Sequence, residues 1–102
     1  MSAFLIADVS PADMQAYRDS GYLEAVPKIA ATYGGVYRAR GGKSEVLEGD
    51  WQPKRLVMIE FPSWEQLQAF YHCEAYAPYR GIRQSLAESH IVALEGIESA
   101  AN

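Results

Sequence analysis

Residues 55–64 read RLVMIEFPSW, and this stretch decides how the rest of the chain is read. Its apolar run is too short for a core helix and is closed by Pro62, which has no N–H to offer a ladder. Ser63-Trp64-Glu65-Gln66 follows at once and has the pattern of a capping box. The stretch therefore predicts strand three over 55–61, leading directly into helix two, whose apolar side holds Leu67, Phe70 and Tyr71. Glu60 is the anomaly. A carboxylate near the end of a half-buried strand is paired, held at a wet rim, or kept for chemistry.

Working outward, AFLIAD at 3–8 is a second short apolar run and predicts strand one. Ser10-Pro11-Ala12-Asp13 offers a capping hydroxyl, a proline at the first helical position and an acid in the first turn, so helix one is expected to start there. Met14, Tyr17, Leu23, Val26, Ile29, Ala30 and Tyr33 give it an apolar stripe. Ser20-Gly21 and Pro27 should bend or split it, and Gly34 should end it. Strand two is expected over 35–40, closed by a turn at Gly41-Gly42. Residues 45–48 are read as a short extra strand. Downstream, the segment around Tyr76, Pro78 and Gly81 is expected to be irregular or a short turn of helix, with helix over 82–89 and strand four over 91–95. The chain is read as one domain over 1–97 with a flexible tail at 98–102.

The order β-α-β-β-α-β predicts an α+β, ferredoxin-like sandwich: an antiparallel four-stranded sheet with the helices on one face. Its 102 residues suit one core. The net charge of -4, with no basic run, argues against nucleic acid as a partner. The single cysteine, Cys73, leaves no internal disulfide and no zinc cluster, as expected in a reducing, cytoplasmic setting. No stretch is long and apolar enough to predict a membrane span or a signal segment.

Sorting each strand by parity divides the sheet into two faces. Ala3, Leu5, Ala7, Tyr37, Ala39, Val57, Ile59, Phe61, Val92 and Leu94 form a nearly pure apolar set, expected under the helices. The other set is mixed, combining Phe4, Ile6, Leu56, Met58 and Ile91 with Asp8, Arg38, Arg40, Glu60 and Glu95. Burying each large apolar member is worth roughly 1.5–3 kcal/mol, so this face should be covered, most simply by a second copy. A homodimer is expected. Strands one and three are read as parallel, which would bring Asp8 and Glu60 to one end of this face. Arg38 or Arg40 would pair with Glu60, the register deciding which.

The stretches YGGVYRARGG at 33–42 and LEGDWQPKRLVMIEFPS at 47–63, then Tyr76, Arg83 and LEG at 94–96, resemble domain-of-unknown-function family 1330 of the dimeric α/β-barrel superfamily. The resemblance implies the same sandwich and dimer. It places the family motif here on Arg40, Gly41, Gly42, Glu48, Trp51, Pro53, Arg55, Glu60, Phe61, Tyr76 and Arg83. Where members often carry Ser-Pro-Glu-Tyr, this chain reads Cys73-Glu74-Ala75-Tyr76, so a glutamate role at that loop does not transfer. The superfamily includes cofactor-independent monooxygenases, isomerases, haem enzymes and binding proteins. Fold alone does not choose among them.

Glu60 is the candidate acid/base, with Asp8, Arg38, Arg40, Tyr76 and Arg83 as candidate ligand-binding residues in a pocket on the dimer-facing side of the sheet. His72 and His90 lack metal-ligand spacing, and Cys73 beside His72 points about 100° away on a helix, so no metal site or nucleophile pair is expected. Nucleotide, flavin and redox motifs are missing, and no cofactor is expected. Two functions remain. One is a cofactor-independent enzyme, of oxygenase or isomerase type, acting on a small molecule. The alternative is a non-catalytic small-ligand-binding or structural homodimer whose Glu60 and Arg38/Arg40 charges fix the interface.

Overall fold

The structure is a computed structural model and describes residues 1–97. The expected tail at 98–102 lies outside the described residues. Four strands, β1 (Ala3–Pro11), β2 (Val36–Arg40), β3 (Leu56–Phe61) and β4 (Ala87–Glu95), form one antiparallel sheet in the order β2-β3-β1-β4. Between β1 and β2 lie α1 (Met14–Asp19) and α2 (Tyr22–Thr32); between β3 and β4 lie α3 (Trp64–His72) and α4 (Ala77–Leu86). This is the ferredoxin-like α+β sandwich, with each helical connection broken in two. No helix among the described residues is long and apolar enough to cross a membrane.

Local chemistry explains the breaks. Gly21, at φ 85°, ends α1 and starts α2, a conformation that a side-chain-bearing residue adopts only with strain. Helix one starts later than the sequence predicts. Ser10 and Pro11 stay in β1, paired with Glu88 and Ala87 of a longer β4, and Asp13 is the cap, accepting from Gln15 N at 3.0 Å and Ala16 N at 3.1 Å. In the second half Pro78 starts α4 rather than interrupting it, because a proline in the first turn gives up an N–H that has no partner there anyway. Gly81 is carried within that helix, so the helix runs over Ala77–Leu86 and not 82–89. Residues 45–48 form no strand; β2 turns away at Gly41 and leaves this exposed segment no ladder to join.

The core lies between sheet and helices, where Leu5, Ala7, Val9, Val57, Ile59 and Phe61 meet Tyr17, Val26, Ala30, Leu67, Phe70 and Tyr76. Aromatic rings run through it as a chain: Phe61 stacks on Phe70 at 5.3 Å, and Phe70 on Tyr76 at 4.7 Å.

Three details of register correct the sequence-based picture. First, β1 and β3 are antiparallel, with Phe4 opposite Glu60 and Asp8 opposite Leu56. The strands that run parallel are β1 and β2, with β3 inserted between them, and β3 and β4, with β1 between them. Asp8 and Glu60 therefore sit at opposite ends of the face, roughly 13 Å apart along the strand at 3.4 Å per residue. Second, β4 is turned over. Ile91 and Ala93 lie opposite Ala7 and Leu5 on the helix side, while Val92 and Leu94 join the open face and are 59% and 55% exposed. Third, a bulge at Arg38 shifts the β2 register, so that Tyr37 faces Ile59, Ala39 faces Met58 and Arg40 faces Val57. Ala39 moves to the open face and Arg40 to the helix side. An inserted residue reverses the alternation after it.

Candidate functional site

The expected acid and its partner come together, but on the open face. Glu60 Oε1 accepts from Arg38 Nε at 2.9 Å, and its other oxygen accepts from the Ser2 hydroxyl at 2.7 Å. The Ser2 hydroxyl, and after it Arg38, hold the Glu60 carboxyl below the usual carboxylate range. Asp8 lies at the other end of this face, folded under the chain that leads into β3. Its Oδ1 accepts from Lys54 N at 3.0 Å and Arg55 N at 3.1 Å, so it fixes the backbone at the start of that strand.

Arg40, Tyr76 and Arg83 are brought together elsewhere, around a partly open cavity of about 40 Å³ between helices and sheet. Its walls include Tyr17, Tyr22, Val26, Pro27, Tyr37, Arg55 and Phe70, and Glu60, Arg38 and Asp8 are not among them. The expected pocket on the dimer-facing side is thus not where these three residues meet. The volume is enough for a compact group of a few heavy atoms.

At the floor, Arg83 is 3% exposed. It donates through Nε to the Tyr76 hydroxyl and through Nη2 to the Tyr71 hydroxyl, both at 3.4 Å. Tyr76 shares a further hydrogen bond of 2.7 Å with Tyr22. Among the described residues no carboxylate pairs with Arg83; the ion pairs are Arg38–Glu60 and a surface contact of His90 with Glu88. Burial opposes the charge of Arg83, whose hydrogen-bond partners Tyr76 and Tyr71 accept from it as neutral phenols and supply no counter-charge. Arg83 is a cation at every physiological pH. Burial pushes Tyr17 up to about 12, pushes Tyr22 far above its ordinary value and raises Tyr37 as well. These three phenols stay neutral and protonated near neutral pH.

Arg40 reaches the cavity for two reasons, of which only one is visible locally. The bulge turns it inward, and Pro27 holds it. Pro27 sits inside α2 and has no N–H, so the carbonyl of Leu23, four residues earlier, loses its helical donor. Arg40 Nη2 supplies one at 2.7 Å, with the guanidinium 5.0 Å above the Tyr37 ring. Arg55 lies alongside: a Cβ placed on Gly41, the residue after Arg40, would stand 3.1 Å from Arg55 Nε. The missing side chain at Gly41 lets the second guanidinium rest against the turn.

Sequence reasoning missed Arg55, Tyr22 and Pro27 as parts of a site. Arg55 had a usable signal, since it shares parity with Val57, Ile59 and Phe61 on the apolar side of strand three. Pro27 and Tyr22 had none, because their partners, Leu23 with Arg40 and Tyr76, are set by tertiary packing.

Layered in this way, the chain is a ferredoxin-like α+β protein with a partly open cavity between the two layers. It belongs to the family described as domain of unknown function (DUF1330), which matches residues 2–97. Among curated proteins none matches the chain. Solved structures share its fold. A protein of unknown function from Rhodopseudomonas palustris superposes with a TM-score of 0.71 at 17% identity, covering 95% of this chain and 83% of its own. A dimeric ferredoxin-like protein of unknown function from Jannaschia sp. CCS1 gives 0.70 at 13% identity, covering 94% and 100%. SnoaB, a cofactor-independent oxygenase from Streptomyces nogalater, gives 0.61 at 7% identity, covering 99% and 98%. At these identities the likeness is one of fold.

Proposed function

We propose that this protein binds a small organic anion in the cavity between helices and sheet, and acts on it as a cofactor-independent enzyme by stabilising negative charge. The observation that carries the reading is Arg83, a buried cation held only by tyrosine hydroxyls at the floor of a cavity. An unpaired buried charge costs several kcal/mol, and a ligand anion is the natural compensation. The lining residues include no Asp, Glu, His, Cys or Lys, so the site offers donors rather than a base. Such a site lowers the energy of an enolate or carboxylate oxyanion whose proton has gone to solvent. Isomerisation then returns a proton from water to another carbon of the enolate, and oxygenation passes the enolate's electrons to dioxygen as co-substrate. The oxygenase named among the structural neighbours fits this reading without requiring it.

The reading is tested by thermal melting against a panel of small carboxylates and enolisable carbonyl acids, on wild type and Arg83→Gln. Stabilisation by an anion in wild type and its loss in the variant is the expected result. Equal stabilisation of the two proteins, or stabilisation by neutral compounds alone, overturns it.

The open sheet face favours a second role for the charges found there. Val36, Val92 and Leu94 are exposed beside Phe4, Ile6 and Met58, and Arg38–Glu60–Ser2 lies among them. We assign this face to a homodimer, with Glu60 and Arg38 fixing its register rather than carrying out acid/base chemistry. The dimeric neighbour supports this. Residues 1–97 then form one domain, and the lone Cys73 suits the cytoplasm.

A further inference from the structure

The cavity is cationic at both ends. Arg83 closes its floor, while Arg40, exposed, and Arg55, half-buried, stand together at its mouth. Among the described residues no ion pair joins any of the three to a carboxylate. Like charges brought side by side repel, and the two at the mouth are held there by fixed features. Arg40 is anchored on the Leu23 carbonyl left free by Pro27, and Arg55 rests on the bare turn at Gly41, its backbone N–H held by Asp8. Arg40 has a structural partner in the Leu23 carbonyl, yet none of the three guanidiniums has a carboxylate paired with it among the described residues. The walls between are apolar, with the rings of Tyr17, Tyr37 and Phe70 set among aliphatic side chains such as Val26, Val57 and Ile59. Tyr17, Arg83, Arg55 and Arg40 line the same small cavity, so one short molecule in it meets both the floor and the mouth.

Building on the anion-binding reading above, we propose that the ligand is a compact dianion, with one acidic oxygen group met by Arg83 at the floor and a second met by Arg55 and Arg40 at the mouth. The chemical class is a short dicarboxylate, or a carboxylate whose enol oxygen carries the second charge. A monoanion would leave either the floor or the mouth uncompensated. The small volume limits the spacer to a few atoms.

The test is calorimetric titration with malonate, succinate and glutarate, each against its monomethyl ester, at constant ionic strength. Constant ionic strength is needed because the contacts at the mouth are screened by salt. At least one diacid is expected to bind about tenfold tighter than its ester, the size of one added charge-assisted contact. In Arg40→Gln/Arg55→Gln the ratio should fall to about one while the ester's affinity holds, and Arg40→Lys/Arg55→Lys should restore part of it. Arg83→Gln should weaken diacid and ester alike. Melting curves establish that each variant is folded. If diacid and ester bind equally and still depend on Arg83, the dianion inference fails and the anion site stands. If none of the probes binds at millimolar concentration, both fail.

Discussion

Replacing Arg83 by methionine should make the protein more stable and functionally empty. The residue is 3% exposed, and its side chain's polar contacts are two hydrogen bonds of 3.4 Å to neutral hydroxyls. At that length each contributes at most about 1 kcal/mol. Substituting apolar side chains for buried ion pairs has been neutral or stabilising by about 1–4 kcal/mol, and here no carboxylate among the described residues offsets the desolvation. Methionine keeps the unbranched stem and fills the space by bending. It leaves Tyr76 bonded to Tyr22 at 2.7 Å, so only the Tyr71 hydroxyl loses its arginine donor without that compensation. The balance is a gain of about 1–2 kcal/mol, or roughly 5–10 °C in Tm for a domain of this size. Urea denaturation and thermal melting without ligand give the stability, and titration with the anion panel gives binding. A variant that melts several degrees below wild type would show that Arg83 holds the fold together, and the argument from an uncompensated charge would be wrong. A more stable variant that still binds anions would refute the assignment of the site.

Pro27→Ala should restore the N–H that Leu23 lacks and displace Arg40 from its anchor. The helix gains up to about 3 kcal/mol of propensity, less the lost arginine contact, while anion affinity falls; unchanged affinity in titration counts against Pro27 as the anchor. Asp8→Ala leaves the amides of Lys54 and Arg55 without their acceptor and should cost about 1–3 kcal/mol in urea denaturation. Asp8→Asn, which keeps an acceptor oxygen, should recover most of that; equal losses would mean the hydrogen bonds are not the cause. Gly35→Ala should destabilise by about 1–3 kcal/mol, because its Cβ would stand 2.8 Å from the Phe61 ring and 2.9 Å from the Ala30 carbonyl; a neutral result in thermal melting would show that α2 and the ring can move apart. The Glu60 contribution has a definite sign with pH. Its folded-state pKa is depressed below the ordinary 4.5, so the stability it supplies is full above that value and is lost as pH falls through the folded pKa. The stability difference between wild type and Glu60→Gln should therefore shrink below pH 4.5, and a difference that stays constant into stronger acid contradicts the pairing.

The chain's local signals carried the architecture. A proline-closed strand running into Ser63 as a cap, the Gly34 helix end and the turn at Gly41 are all set within a few residues, so they are legible without knowing what lies across the sheet. The same holds for the odd positions of β1 and β3, since alternation is a property of one strand at a time. The pairing of Tyr76 with Arg83 was also within reach, as both lie on one stretch of chain seven residues apart.

What the sequence by itself determined was the four sheet strands, their order with the helical connections between them, and the presence of too much apolar surface for one layer of helices to cover. Only the tertiary structure decided on which side each charge acts. Arg38 and Arg40 share parity in the sequence, yet one residue of bulge sends Arg38 to Glu60 on the open face and Arg40 to the cavity. A bulge is a mismatch between two strands, and nothing within Val36–Arg40 alone records how many residues β3 will oppose to it. The orientation of β4 and the separation of Asp8 from Glu60 have the same origin, for both depend on strand pairing across long stretches of chain. Local chemistry fixes which residues form a strand. The partner fixes which way they face.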